Sequence, residues 1–114
     1  MVYKARLHPD AMRPVGAHVY IGTPGAHNVQ VPEGASGIVM QRHTDRDDLP
    51  TSQVYFDEHE VNTPMTGDDQ GFSLPYGGAV VLFWFDPAVT KWFNFWIQTN
   101  GDLFYHFASP ARPI

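Results

Sequence analysis

Six histidines, His8, His18, His27, His43, His59 and His106, are the first residues to weigh for chemistry. A β-barrel metal enzyme of the cupin type needs an H-x-H pair, a carboxylate and a later His converging on one ion. No H-x-H occurs in the chain. The nearest approach is "DEHE", Asp57 to Glu60, with His43 and His106 as distant candidates. A zinc site requires three or four ligands fixed in space, and scattered His at strand ends and turns more often serve as polar surface. Asp45, Asp47 and Asp48 in one loop and the Asp68-Asp69 pair offer oxygen ligands of the kind calcium takes, but their spacing is not that of an EF-hand. There is no cysteine, no G-x-S-x-G and no Ser beside a plausible base, which removes the common nucleophile arrangements. "GTPG" and "YGG" read as turns, because neither opens a helix whose amides could cradle phosphate. The expectation is a chain with no catalytic residue, no metal and no cofactor.

Composition supports that expectation. The chain has 114 residues, enough for one core, with 43% hydrophobic, 14% aromatic and 17% charged residues. This balance is the opposite of a disordered segment. Net charge is −5, and the seven Lys and Arg never gather into a stripe. Nucleic-acid and anionic-membrane partners are therefore not expected, since both need a basic footprint. "MVYKARLHPDAMRPVG" lacks the apolar run of a signal peptide, and Ala79 to Phe85 is too short to span a bilayer.

Ten Gly and ten Pro divide the chain into short pieces, which suits strands and turns. "HVYIG", "HNVQV", "SGIVMQRH", "SQVYFDEH", "FSLP", "AVVLFWF", "WFNFWIQ" and "DLFYHF" read as strands in succession. "TNGD", Thr99 to Asp102, holds an Asn-Gly pair and predicts a type I′ hairpin. No helical period appears. The expected fold is all-β, an antiparallel β-sandwich or jelly-roll-like domain of about seven to eight strands. It would occupy residues 15–108, with an N-terminal arm at 1–14 and an extended tail at 109–114.

The stretch Val80 to Gln98, "VVLFWFDPAVTKWFNFWIQ", departs from the usual strand pattern, because it is apolar on both faces. If Phe85 stands opposite Trp92 in a hairpin, one face carries Val80, Leu82, Trp84, Phe93, Phe95 and Ile97 and should be the core. The other carries Val81, Phe83, Phe85, Trp92, Asn94, Trp96 and Gln98. Three covers suit this second face: a neighbouring segment such as the N-terminal arm, another protein, or a sugar stacked on the rings with Asn94 and Gln98 holding hydroxyls. Trp and Phe are enriched at the centres of protein interfaces. Phe83, Phe85, Trp92, Asn94, Trp96 and Gln98 are accordingly the candidate partner interface.

Several punctuating motifs occur in order: "VPEGASGIVMQ" (Val31 to Gln41), "VYFD" (Val54 to Asp57), "NTPMTGDDQGFSLPYGG" (Asn62 to Gly78) and "KWFNFWIQTNGDLFYHF" (Lys91 to Phe107). Over about two-thirds of its length the chain thereby resembles small virion-associated β-sandwich proteins of tailed bacteriophages. The aromatic run, the "HTDRDDLPTSQ" stretch and the first 30 residues depart from that pattern. The resemblance implies a non-enzymatic structural protein of the virion, assembled in the host cytoplasm. The expected role is a capsid decoration or cement protein, homo-oligomeric and docked on the major capsid protein. The alternatives are a carbohydrate-binding module and, third, a cupin-like metal enzyme.

Overall fold

The computed structural model describes residues 12–42, 51–67, 71–75 and 79–110. These form eight strands: β1 (Met12–Ile21), β2 (Gly25–Gln30), β3 (Gly37–Arg42), β4 (Val54–His59), β5 (Phe72–Ser73), β6 (Val81–Trp84), β7 (Trp92–Ile97) and β8 (Leu103–Pro110). Among the described residues there is no helix. Two four-stranded sheets result, in the orders β1-β8-β3-β6 (sheet A) and β2-β7-β4-β5 (sheet B), with every pair antiparallel.

The pairing is nested. β1 pairs with β8, β2 with β7, β3 with β6 and β4 with β5, as if one long hairpin had been rolled up. The chain crosses from sheet to sheet at nearly every connection. This is the double-sheet jelly roll, which limits exposed strand edges by wrapping the sheets over one core.

The core follows from period-2 alternation on the inner strands. Ile38 and Met40 of β3 and Leu103, Tyr105 and Phe107 of β8 project from sheet A. Val54 and Phe56 of β4 and Phe93, Phe95 and Ile97 of β7 project from sheet B to meet them. Aromatic edges and faces bridge the layers: Phe95 stacks on Tyr105 at 5.4 Å between ring centres, and Phe93 meets Phe107 at 6.1 Å.

Three expectations change. First, β6 and β7 are not a hairpin. β6 lies in sheet A beside β3, β7 lies in sheet B between β2 and β4, and the Phe85–Lys91 connection crosses between the sheets. Opposed strands in two sheets do not share a face, so the parity inferred for β6 inverts. Val81, Phe83 and Phe85 pack on the core, while Val80, Leu82 and Trp84 are exposed. The β7 parity stands, with Phe93, Phe95 and Ile97 buried.

Second, "TNGD" also crosses between sheets, from β7 to β8, and neither Asn100 nor Gly101 has the positive φ of a type I′ turn. The turn is held instead by Thr51: Asn100 N donates to its carbonyl at 3.0 Å and Asn100 Nδ2 to its Oγ1 at 2.7 Å. Glycine is needed at 101 for space. A Cβ there would lie 2.8 Å from Ser52 O and 3.0 Å from Gln53 O. These are backbone atoms that cannot swing aside, so Gly101→Ala should destabilise the domain by about 1–3 kcal/mol in a urea titration.

Third, β1 begins at Met12 and β8 runs to Pro110, so Met12 to Pro14, Ser109 and Pro110 belong to sheet A. The rest of the expected arm and tail lies outside the described residues.

Candidate functional site

The outward face of sheet A is assembled by register. Tyr20 (β1), Phe104 (β8) and Gln41 (β3) form one row, with Val80 just before β6 at its end. His18, His106, Val39 and Leu82 form the middle row, and Ala108, Gly37 and Trp84 the third. A bulge in β1 places His18. Val15 pairs with Phe107 and Val19 with Tyr105, so Gly16, Ala17 and His18 together stand opposite the single residue His106. Gly16 takes φ +83°, which a side-chain-bearing residue resists, and the extra residues re-aim the strand.

The side chains on this face are large and apolar. Val80 is 61% exposed, Tyr20 54%, Trp84 44%, Leu82 37% and Phe104 36%. The Trp84 ring lies against Gly37, close enough that a Cβ there would meet its Cε3 at 2.5 Å. Tyr20 leans on Phe104 at 4.8 Å between ring centres, and its hydroxyl donates to Asp102 Oδ2 at 3.0 Å. At the middle of the face His18 and His106 stack at 4.2 Å with 16° between their planes. Burial, and then the neighbouring His18, hold the His106 pKa below the ordinary histidine value of 6.5. No Asp, Glu, Lys or Arg stands in these three rows. A shallow depression of about 220 Å³ lies between Phe104, His106, Val39 and Val80.

The outward face of sheet B carries the rest of the candidate interface. Trp92, Trp96 and Gln98 are half-buried there, with Gln30 and His59 beside Trp92 and Ala26 and Tyr55 beside Trp96. Asn94, in the same strand, is fully buried. The chain itself covers it: Asn94 Nδ2 donates to Thr63 O at 2.6 Å, from the segment that follows β4. An amide so enclosed is not available to a sugar hydroxyl. Gln98 Oε1 accepts from the Gln53 amide at 3.0 Å, which ties the end of β7 to the start of β4. Of the six residues expected at a partner interface, Trp92, Trp96 and Gln98 lie together on an outward face. Phe83 and Phe85 belong to the core, and Asn94 is sealed beneath a loop.

The histidines do not converge. His59, on the outside of sheet B, sits 3.4 Å from Asp57. His106 is on the outside of sheet A, across the whole sandwich, and His27 Nε2 meets the Thr23 carbonyl at 2.7 Å. His8, His43, Asp45, Asp47, Asp48, Asp68 and Asp69 lie outside the described residues. Among the described residues no three His, Asp or Glu side chains gather as a metal site would require. At one end of the sandwich a groove of about 420 Å³ places Trp84 and Phe85 beside Glu58, Glu60 and Asp86.

The apolar face of sheet A was not legible as a face in the sequence. Its rows join residues from four separated strands, and only the two-sided apolarity of "AVVLFWF" signalled that one side would be left outside. Comparison of the chain with protein-family models, with curated proteins and with solved structures finds no match.

Proposed function

We propose that this chain is a non-enzymatic structural subunit of a tailed-phage virion, a decoration or cement protein whose outer sheet face is covered in the assembled particle. One observation carries the reading: Tyr20, Val80, Leu82, Trp84 and Phe104 gather on one sheet surface whose three rows hold no Asp, Glu, Lys or Arg. Soluble monomers rarely expose contiguous apolar patches beyond a few hundred Å². Burying these side chains contributes about 25 cal/mol per Å², against a surface that otherwise presents carboxylates. The motif order from Val31 to Phe107 supports the virion as the setting, with the major capsid protein as the expected platform. Leu82 and Trp84 replace their core-facing neighbours Phe83 and Phe85 on the face that is covered.

The test is mass spectrometry of purified virions made with the wild-type chain or with Leu82→Ser and Trp84→Ser combined. The wild-type chain should be present in stoichiometric amounts. The double variant should fold with an unchanged circular dichroism spectrum yet be depleted by at least about tenfold, the effect of losing interface hot spots. A chain absent from virions overturns the reading.

The groove at the sandwich end favours a second reading, a carbohydrate-binding module. Trp84 there offers a flat ring to a pyranose, and Glu58, Glu60 and Asp86 offer hydroxyl acceptors. Glycan-array binding that is lost with Trp84→Ser but kept with Tyr20→Ser would favour this reading, because Trp84 lines that groove and Tyr20 does not.

A further inference from the structure

We infer that the outward face of sheet A binds a second copy of this chain, forming a two-fold dimer with the His18–His106 stack inside the interface, and that acidification opens it. This rests on the reading that the face is covered in an assembly, and it names what covers it.

Charge selects the occupant. The chain carries −5 overall, so two copies approaching by most orientations set carboxylates against carboxylates. The three rows of sheet A bear no formal charge at neutral pH, which makes this face the approach that avoids repulsion. A basic partner would be drawn instead to the acidic end near Glu58, Glu60 and Asp86. A neutral apolar face is complemented by another of its kind, and this chain supplies one.

Shape and area agree. The domain is a slab of about 43 × 36 × 20 Å, so its sheet faces are its broadest surfaces. The exposed parts of Tyr20, Val80, Leu82, Trp84 and Phe104 amount to roughly 400 Å², taking a large side chain as 150–250 Å². That is the apolar centre of an interface of about 800 Å² per partner. Two antiparallel sheets stack face to face at about 10 Å, and a two-fold axis lying in the interface makes the contact self-complementary. With the axis along the strands, the Tyr20–His18 edge of one copy covers the Val80–Leu82 edge of the other. His106 then faces Val39, and its ring loses water.

The histidines make this contact sensitive to pH. The titratable groups facing His106 on this surface are His18 beside it and, one row away, Tyr20, which is bonded to Asp102. β3 and β6 present Val39, Gln41 and Leu82, and no carboxylate among the described residues faces the stack to stabilise an imidazolium. Protonation puts like charges at 4.2 Å in each copy and buries them on dimerisation. Because the dimer disfavours the proton, the separated copies bind it first. The dimer is at full strength at neutral pH and weakens as pH falls through the His106 value of the separated copies, which burial and His18 hold below 6.5.

Sedimentation equilibrium of the full chain tests this. At neutral pH the mass should be twice that of the chain at micromolar concentration, and by about pH 5 dissociation should strengthen at least tenfold. Leu82→Glu should yield a folded monomer, and Val80→Glu should do the same if the first variant folds poorly. His18→Gln with His106→Gln should stay dimeric at both pH values. A folded wild-type chain that is monomeric at neutral pH overturns the inference, as does a dimer indifferent to both Glu variants. A dimer broken by Leu82→Glu but equally strong in acid overturns the part given to the histidines. A monomer that still enters virions in a Leu82- and Trp84-dependent way leaves the proposed function standing and removes this inference alone.

Discussion

Phe93→Ala should bring the domain to the edge of unfolding, lowering its stability by about 3–5 kcal/mol in chemical denaturation. Phe93 of sheet B is fully buried and meets three rings from the sheet A side: Phe85 at 5.1 Å, Phe83 at 5.9 Å and Phe107 at 6.1 Å. Truncation removes the shared partner of three rings held by β6, by the connection that follows it and by β8, so the void cannot close by moving one neighbour. A domain of this size has about 5–15 kcal/mol in total, so the loss is a large share of the whole. The neighbouring Trp92→Ser should lose far less, because that ring is half-buried on the outside of sheet B. If the two variants melted alike, the inner and outer faces of β7 would have to be exchanged.

The second large effect belongs to the amide hidden under the loop. Asn94→Asp should destabilise the domain by about 3 kcal/mol or more at neutral pH. It replaces a donor by an acceptor against the Thr63 carbonyl and sets a buried carboxylate directly across the strands from Asp57. The new carboxyl would titrate above its ordinary value of about 3.9, because burial and a like charge both favour its neutral form. In the unfolded chain it ionises first as pH rises, so the deficit grows through and above that value. Below it both states are neutral and the variant should approach the wild type. Melting temperatures from pH 3 to 7 measure this, and a deficit independent of pH would mean that the loop opens and admits water.

These two residues show what the sequence could convey. The inward set of β7 was readable because Phe93, Phe95 and Ile97 alternate with the amides Asn94 and Gln98. The β6 segment offers no such contrast: Val80, Leu82 and Trp84 are as apolar as Val81, Phe83 and Phe85. With no polar residue to mark the wet side, parity depended on the assumed hairpin, and a strand that changes sheets reverses it. Asn94 read as an outward amide, which it is by strand parity. The cover over it comes from a segment some thirty positions away, and no local pattern reports that. The His18–His106 stack is similar, since it exists only because β1 pairs with β8 and a bulge re-aims His18. The strand count and fold class were legible from turn residues, which act locally.

The nested pairing of strands also sets the order in which the molecule can form. β4 and β5 are neighbours along the chain, whereas β1 and β8 register Met12 against Pro110, nearly the full described length apart. Closing so long a loop is entropically unfavourable until the inner pairs have collapsed beneath it. The roll should therefore grow outward from the middle of the sequence, over milliseconds to seconds rather than microseconds. On a ribosome, β1 emerges first and waits longest, with its partner edge absent until β8 has been synthesised. During that interval the inner side of β1, Val15, Val19 and Ile21, has no β8 beside it. The charged and proline-bearing start of the strand, Arg13-Pro14, is placed where it discourages other chains from pairing there first.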